Sequence, residues 1–224
     1  MKTDTDDYLL TLEMCKVPRQ MRANKKMCAR EVIQIGAVLL NEALEVIDKF
    51  STYVSPQFGW IDDEINRLTG IRNEDVIHAP VFSEAFNTFL SWLPTDTKLV
   101  SWSNNDEAQI RKELQYKEIE VTGIDDMLDN WIDCQKTFGE KLNSERCYRL
   151  SEALVAADII YEDGFHDGLV DAYNTALLFA KMEREDELSL NPYYRSMLLE
   201  EEETCCSTLG SLFGGIDMSA FAVA

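Results

Sequence analysis

The chain has 224 residues, enough for one large domain or two small ones, and 46% of them are hydrophobic, enough to build a full core. A formal net charge of −20 argues against a non-specific nucleic-acid binder, which carries a basic footprint, but not against an enzyme that grips a strand end through metal ions, because a divalent cation reverses the local sign. No stretch is long and apolar enough to span a bilayer, and the acidic start MKTDTDDYLL lacks the features of a secretory signal, so the chain reads as cytoplasmic with no membrane partner and its six cysteines as free thiols.

Taken in order, Tyr8–Met14 is a short apolar strand, and Glu31–Leu40, rich in β-branched residues, is a stronger one. A polar turn leads into a third strand within residues 45–56, which suggests an antiparallel hairpin. Residues 60–71 read as a short helix with Gly70 as its C-cap. Pro80 opens a second helix, in which Phe82, Ala85, Phe86, Phe89 and Leu90 follow helical spacing. Residues 98–103 form a strand after the break at Pro94, and residues 105–117 form an amphipathic helix. A last strand is expected within residues 130–138 and a helix over 144–157. The final long helix occupies Gly164–Met182 and is apolar over much of its circumference. Three strands followed by helices alternating with two more strands give an α/β domain with a mixed sheet. Beyond about residue 188 the composition turns acidic and then rich in Gly, Ser and Ala, so residues 1–188 read as the domain and 189–224 as an acidic, partly disordered tail.

Acidic residues stand where these elements meet. Glu13 ends the first strand, Asp106 opens the helix after the 98–103 strand, and Asp171 lies one turn into the final helix with His166 just before it. An aspartate on a buried helix is costly unless it is paired, whether by a cap, a salt bridge or a metal ion. Carboxylates converging at strand ends are oxygen ligands for Mg²⁺ or Mn²⁺. Two such ions about 4 Å apart clamp the attacking and leaving oxygens of a phosphodiester displacement, and a neighbouring histidine is suited to take the proton of the attacking water.

These residues carry a resemblance. In the order TLEMC, EVIQIGAVLL, LTGI, SWSNND and HDGLVDAYNTA, the chain resembles the DEDDh 3′–5′ exonucleases of the ribonuclease-H-like superfamily. Within them it is most similar to the branch with the exonuclease inhibitor of the KinA sporulation pathway and the histone-mRNA exonucleases. The resemblance runs from about Tyr8 to Met182. It implies a mixed five-stranded sheet flanked by helices, a two-ion site for Mg²⁺ or Mn²⁺, and hydrolysis from the 3′ end of single-stranded RNA or DNA. It further implies that Glu13 and Asp171 are metal ligands, that Asp106 holds the second ion, that His166 is the general base, and that Met14 and Leu68 pack against the terminal base.

One position departs. The first motif should begin with aspartate, and the chain has Thr11, whose neutral hydroxyl is a poor ligand for Mg²⁺. The enzyme reading is therefore a weakened exonuclease. The alternative is a catalytically degenerate nucleic-acid-binding or adaptor protein whose tail is a segment for a protein partner. A second feature follows the first motif. Lys16, Arg19, Arg22, Lys25, Lys26 and Arg30 stand between Met14 and Glu31 with no acidic residue among them. In an acidic chain this reads as a phosphate-gripping loop, with Lys25 and Lys26 as its substrate contacts, rather than as a solvated surface loop.

Overall fold

The computed structural model describes residues 7–18, 29–94, 98–164 and 166–195. Its centre is a five-stranded sheet in the order β3-β2-β1-β4-β5. β1 (Asp7–Lys16), β2 (Arg30–Leu40) and β3 (Val46–Tyr53) are antiparallel, as the hairpin reading expects. β4 (Lys98–Ser101) adds to β1 in parallel, and the two-residue β5 (Ile132–Asp133) adds to β4.

β2 reads as a continuous apolar run because both of its faces are covered. Ile35, Ala37 and Leu39 pack on one side with α3 (Phe82–Trp92), α4 (Asn105–Tyr116) and α5 (Ile124–Asp129). Val38 and Leu40 pack on the other side with α6 (Cys134–Lys141), α7 (Leu150–Ala156) and α8 (Gly168–Arg184). A smaller cluster of Cys15, Ile33, Ile61, Ile65, Ile71 and Val76 ties α1 (Asp63–Thr69) and α2 (Asn73–Val76) to the end of the sheet. Leu188 and Tyr194 pack at the margin of the α6–α8 cluster. Residues 196–224, most of the expected tail, lie outside the described residues. Among the described residues no helix is long and apolar enough to cross a membrane.

One element falls inside its expected range and one boundary differs from expectation. The last strand, expected within residues 130–138, is Ile132–Asp133, after which Asp133 accepts from the Lys136 N–H at 2.9 Å and caps α6. The helix expected over 144–157 starts only at Leu150. The Tyr148 carbonyl accepts from Gln135 Nε2 at 2.6 Å and its ring is buried against Phe138, which holds the preceding residues out of the helix. The short α2 and α5 are too brief for hydrophobic periodicity to reveal.

Candidate active site

The site begins at the end of β1. Thr11 and Glu13, two residues apart on a strand, share one face. Opposite Glu13 the β1–β2 register shifts, with Glu13 facing Gln34 and Met14 facing Val32, so that Ile33 is the extra residue of a bulge. Bulges of this kind re-aim the side chains beside them.

The start of α8 is held against this face by Gln34. Its Oε1 accepts from the Gly168 N–H at 2.9 Å and its Nε2 donates to Asp167 Oδ2 at 3.2 Å. Asp167 is the N-cap of α8, accepting from the N–H groups of Leu169 and Val170. The approach is close enough that Gly36 and Gly168 meet backbone to backbone. Asp171 follows in the first helical turn. Its Oδ2 accepts from the His166 N–H at 3.2 Å, and His166 sits in the left-handed region at φ 71°. That conformation is uncommon outside glycine and tends to occur where a turn must present a particular side chain.

Asp106 reaches the site from α4. β4 ends at Ser101, so the N–H of Leu12 on that side of β1 has no strand partner, and Asp106 Oδ1 accepts it at 3.3 Å. Thr11, Glu13, Met14, Leu68, Asp106, His166 and Asp171 therefore line one open cavity of about 870 Å³. Within it, ligand atoms of Glu13, His166 and Asp171 lie within 4.8 Å of one another.

The electrostatics of the cavity fit a cation. Burial first, and then the negative charges of Asp171, Asp106 and Asp167, push the Glu13 carboxyl up to about 9. Burial raises Asp106 to about 7 against the opposing hydrogen bond from Leu12, and raises Asp171 against the hydrogen bond from His166. Thr11 Oγ1 and Asp171 Oδ1 are buried with no hydrogen-bond partner among the described residues. A buried carboxylate, a half-buried one and an imidazole, with spare oxygen capacity between them, are a donor set for a divalent ion.

Lys25 and Lys26 lie outside the described residues. Lys16 and Arg30, from the same basic segment, line the cavity beside the acidic floor. Lys16 is also paired with Glu64 at 2.5 Å. Sequence reasoning missed Arg149, Tyr148 and Gln135, which also line the cavity. Tyr148 and Arg149 lie just before α7 and Gln135 in the first turn of α6, in stretches that carry no motif. It also missed the Gln34–Asp167 clamp, whose only trace in the sequence is a glutamine inside an apolar strand.

Comparison with known proteins gives the family. The family model described as Exonuclease matches residues 23–179. ERI1 exoribonuclease 2 of Danio rerio is 28% identical over 216 residues, covering 80% of this chain and 38% of that protein. The Homo sapiens protein of the same name is 30% identical over 187 residues, covering 70% of this chain and 26% of that protein. The chain thus spans well under half the length of these curated relatives. Among solved structures, the nuclease domain of 3′hExo, described as a DEDDh family member bound to rAMP, matches with a TM-score of 0.70 at 23% identity, over 85% of this chain and 98% of that one. Cell-death related nuclease 4 matches with a TM-score of 0.67 at 18% identity, over 83% of this chain and 66% of that one. With the ordered motifs gathered in one cleft and the family match running through most of its length, the chain belongs to the exonuclease family and has the ribonuclease-H-like fold.

Proposed function

We propose that this chain is a metal-dependent 3′–5′ exonuclease that releases nucleotides from a single-stranded RNA or DNA end, with turnover weakened by Thr11. The observation that carries the reading is the meeting of Glu13, His166 and Asp171 within 4.8 Å in an open cavity. The curated relatives are named exoribonucleases, which supports RNA as a substrate.

In this reading Glu13 and Asp171 hold the first divalent ion, Mg²⁺ or Mn²⁺, and Asp106 contributes to the second. Bound ions of this kind neutralise phosphate charge and stabilise the attacking and leaving oxygens. His166, exposed at the mouth of the cavity, takes the proton of the attacking water. Met14 and Leu68 offer apolar surface to the terminal base, and Arg30, with Lys25 and Lys26 of the same segment, neutralises phosphates. Residues 1–188 act as the exonuclease-like domain, and the acidic stretch after them serves as a segment for a protein partner.

The test is incubation with end-labelled single-stranded RNA and DNA in Mg²⁺ or Mn²⁺, beside a His166→Ala variant. Stepwise shortening from the 3′ end that His166→Ala abolishes is the expected result. Binding without shortening in either ion, unchanged by Thr11→Asp, would replace this reading with that of a degenerate binder.

A further inference from the structure

Trp60 is the large aromatic side chain that the fold leaves most exposed beside the cavity, at 62%. A single exposed apolar residue is ordinary. The backbone beneath this one is not. The buried carboxylate of Glu31 accepts from the N–H groups of Gln57 at 3.2 Å, Phe58 at 2.8 Å and Gly59. The Trp60 N–H donates to the Lys16 carbonyl at 3.2 Å. On the far side, Asn73 accepts from the Ile61 N–H at 3.1 Å and donates to its carbonyl at 2.8 Å. Each backbone N–H from Gln57 to Ile61 thus has a partner, and Gly59 packs so tightly that a Cβ there would lie 2.4 Å from Cys15 Sγ. The exposed indole stands on a fixed base.

Its direction follows from its pairing. Trp60 and Lys16 form an antiparallel bridge, and residues directly opposite in such a pair face the same side. Lys16 lines the cavity with Met14 and Leu68, so the indole lies on the cavity's face, just past its rim. Lys16 is three residues beyond Glu13 on β1, roughly 10 Å along the strand, or two to three stacked-base steps of about 3.4 Å. The cationic head of Lys16 is already engaged by Glu64 and Asp62, so this part of the rim offers aromatic area more than free charge.

Resting on the exonuclease reading above, we infer that Trp60 is a base-stacking platform for the substrate strand, receiving a base inward of the 3′-terminal nucleotide. The cleft would then hold the terminal nucleotide by its own contacts while Trp60 grips the incoming strand without regard to sequence, since every base offers a π-face. A rigid, pre-placed aromatic gives more affinity per contact than a mobile one, because less freedom is lost on binding.

The experiment compares the native chain with Trp60→Ala and Trp60→Phe in Mn²⁺. Calorimetry reads adenosine 5′-monophosphate binding, and anisotropy reads labelled single strands of increasing length with a phosphorothioate 3′ linkage that resists cutting. Trp60→Ala should weaken strands that reach the platform by about tenfold, leave the mononucleotide unchanged and leave the salt slope unchanged, with Trp60→Phe between. In the native chain, 2-aminopurine placed inward of the terminus should be quenched, and Trp60→Ala should remove the quench. Equal strand affinity in Trp60→Ala and the native chain would overturn the platform alone, as would a mononucleotide loss as large as the strand loss. A native chain that binds neither mononucleotide nor strand would overturn the exonuclease reading, and the platform with it.

Discussion

A Cβ placed on Gly36 would lie 2.1 Å from the carbonyl carbon of Gly168, so β2 and the first turn of α8 touch through bare backbone. This contact sets how near Asp171 and His166 come to Glu13. A methyl group has no flexible neighbour to displace there and must move the helix. Gly36→Ala should therefore cost stability of about 1–3 kcal/mol or more by overpacking and lower divalent-ion affinity as well. Denaturant unfolding and metal calorimetry read the two effects. A stable variant with native metal affinity would show that α8 can shift without disturbing the cleft.

Thr11→Asp restores a carboxylate beside Glu13, on the face that Gly168 touches. Even groups that only support metal ligands change affinity by about 10–100-fold, so a direct ligand should raise affinity by at least tenfold and raise turnover with it. Without metal the variant should melt lower, because a further negative charge joins Glu13, Asp106 and Asp171. Calorimetry with Mg²⁺ and Mn²⁺, paired with melting curves with and without chelator, separates the two. No gain in affinity would mean that the ion does not sit against Thr11.

The raised carboxyl of Glu13 gives a pH signature. Its value in the folded chain is about 9 against an ordinary 4.5, so the folded state holds this proton where the unfolded state has released it. The associated stability is full below pH 4.5 and is lost as pH rises toward 9. Metal-free protein should lose melting temperature across that window, and Glu13→Gln should flatten the loss. Added Mn²⁺ should oppose it, because the ion binds the deprotonated form. Parallel pH profiles for the native chain and Glu13→Gln would contradict this assignment.

Away from the cleft, Lys117 Nζ lies 3.0 Å from Glu31 and 2.7 Å from Glu113, both fully buried. Glu113 also accepts from the Val32 N–H at 2.8 Å. Removing the only cation of this trio leaves two buried carboxylates uncompensated. Lys117→Met should destabilise by about 3–5 kcal/mol, read by urea unfolding. Changing Glu31 and Glu113 to Gln in the same chain should recover part of the loss.

The strands and the motif residues were legible because each signal is local. β2 announces itself by β-branched residues, and Glu13, Asp106, His166 and Asp171 stand in a fixed order at element ends. The walls of the cavity were not legible. Arg149 lines it from just after Tyr148, whose carbonyl is taken by Gln135, a contact between residues 13 apart. Gln34 clamps a helix start 134 residues away, a pairing that no periodicity encodes.

The carboxylate of Glu31 joins a surface loop to the interior of the protein. Phe58 and Gly59 are partly accessible, yet their N–H groups end on a side chain that is itself sealed beneath them with Lys117 and Glu113. Those amides can trade hydrogen with water only when the buried charges open too. The loop should therefore exchange slowly, on the clock of the core rather than of the surface, and its deuterium uptake would record the opening of the sheet's end from outside.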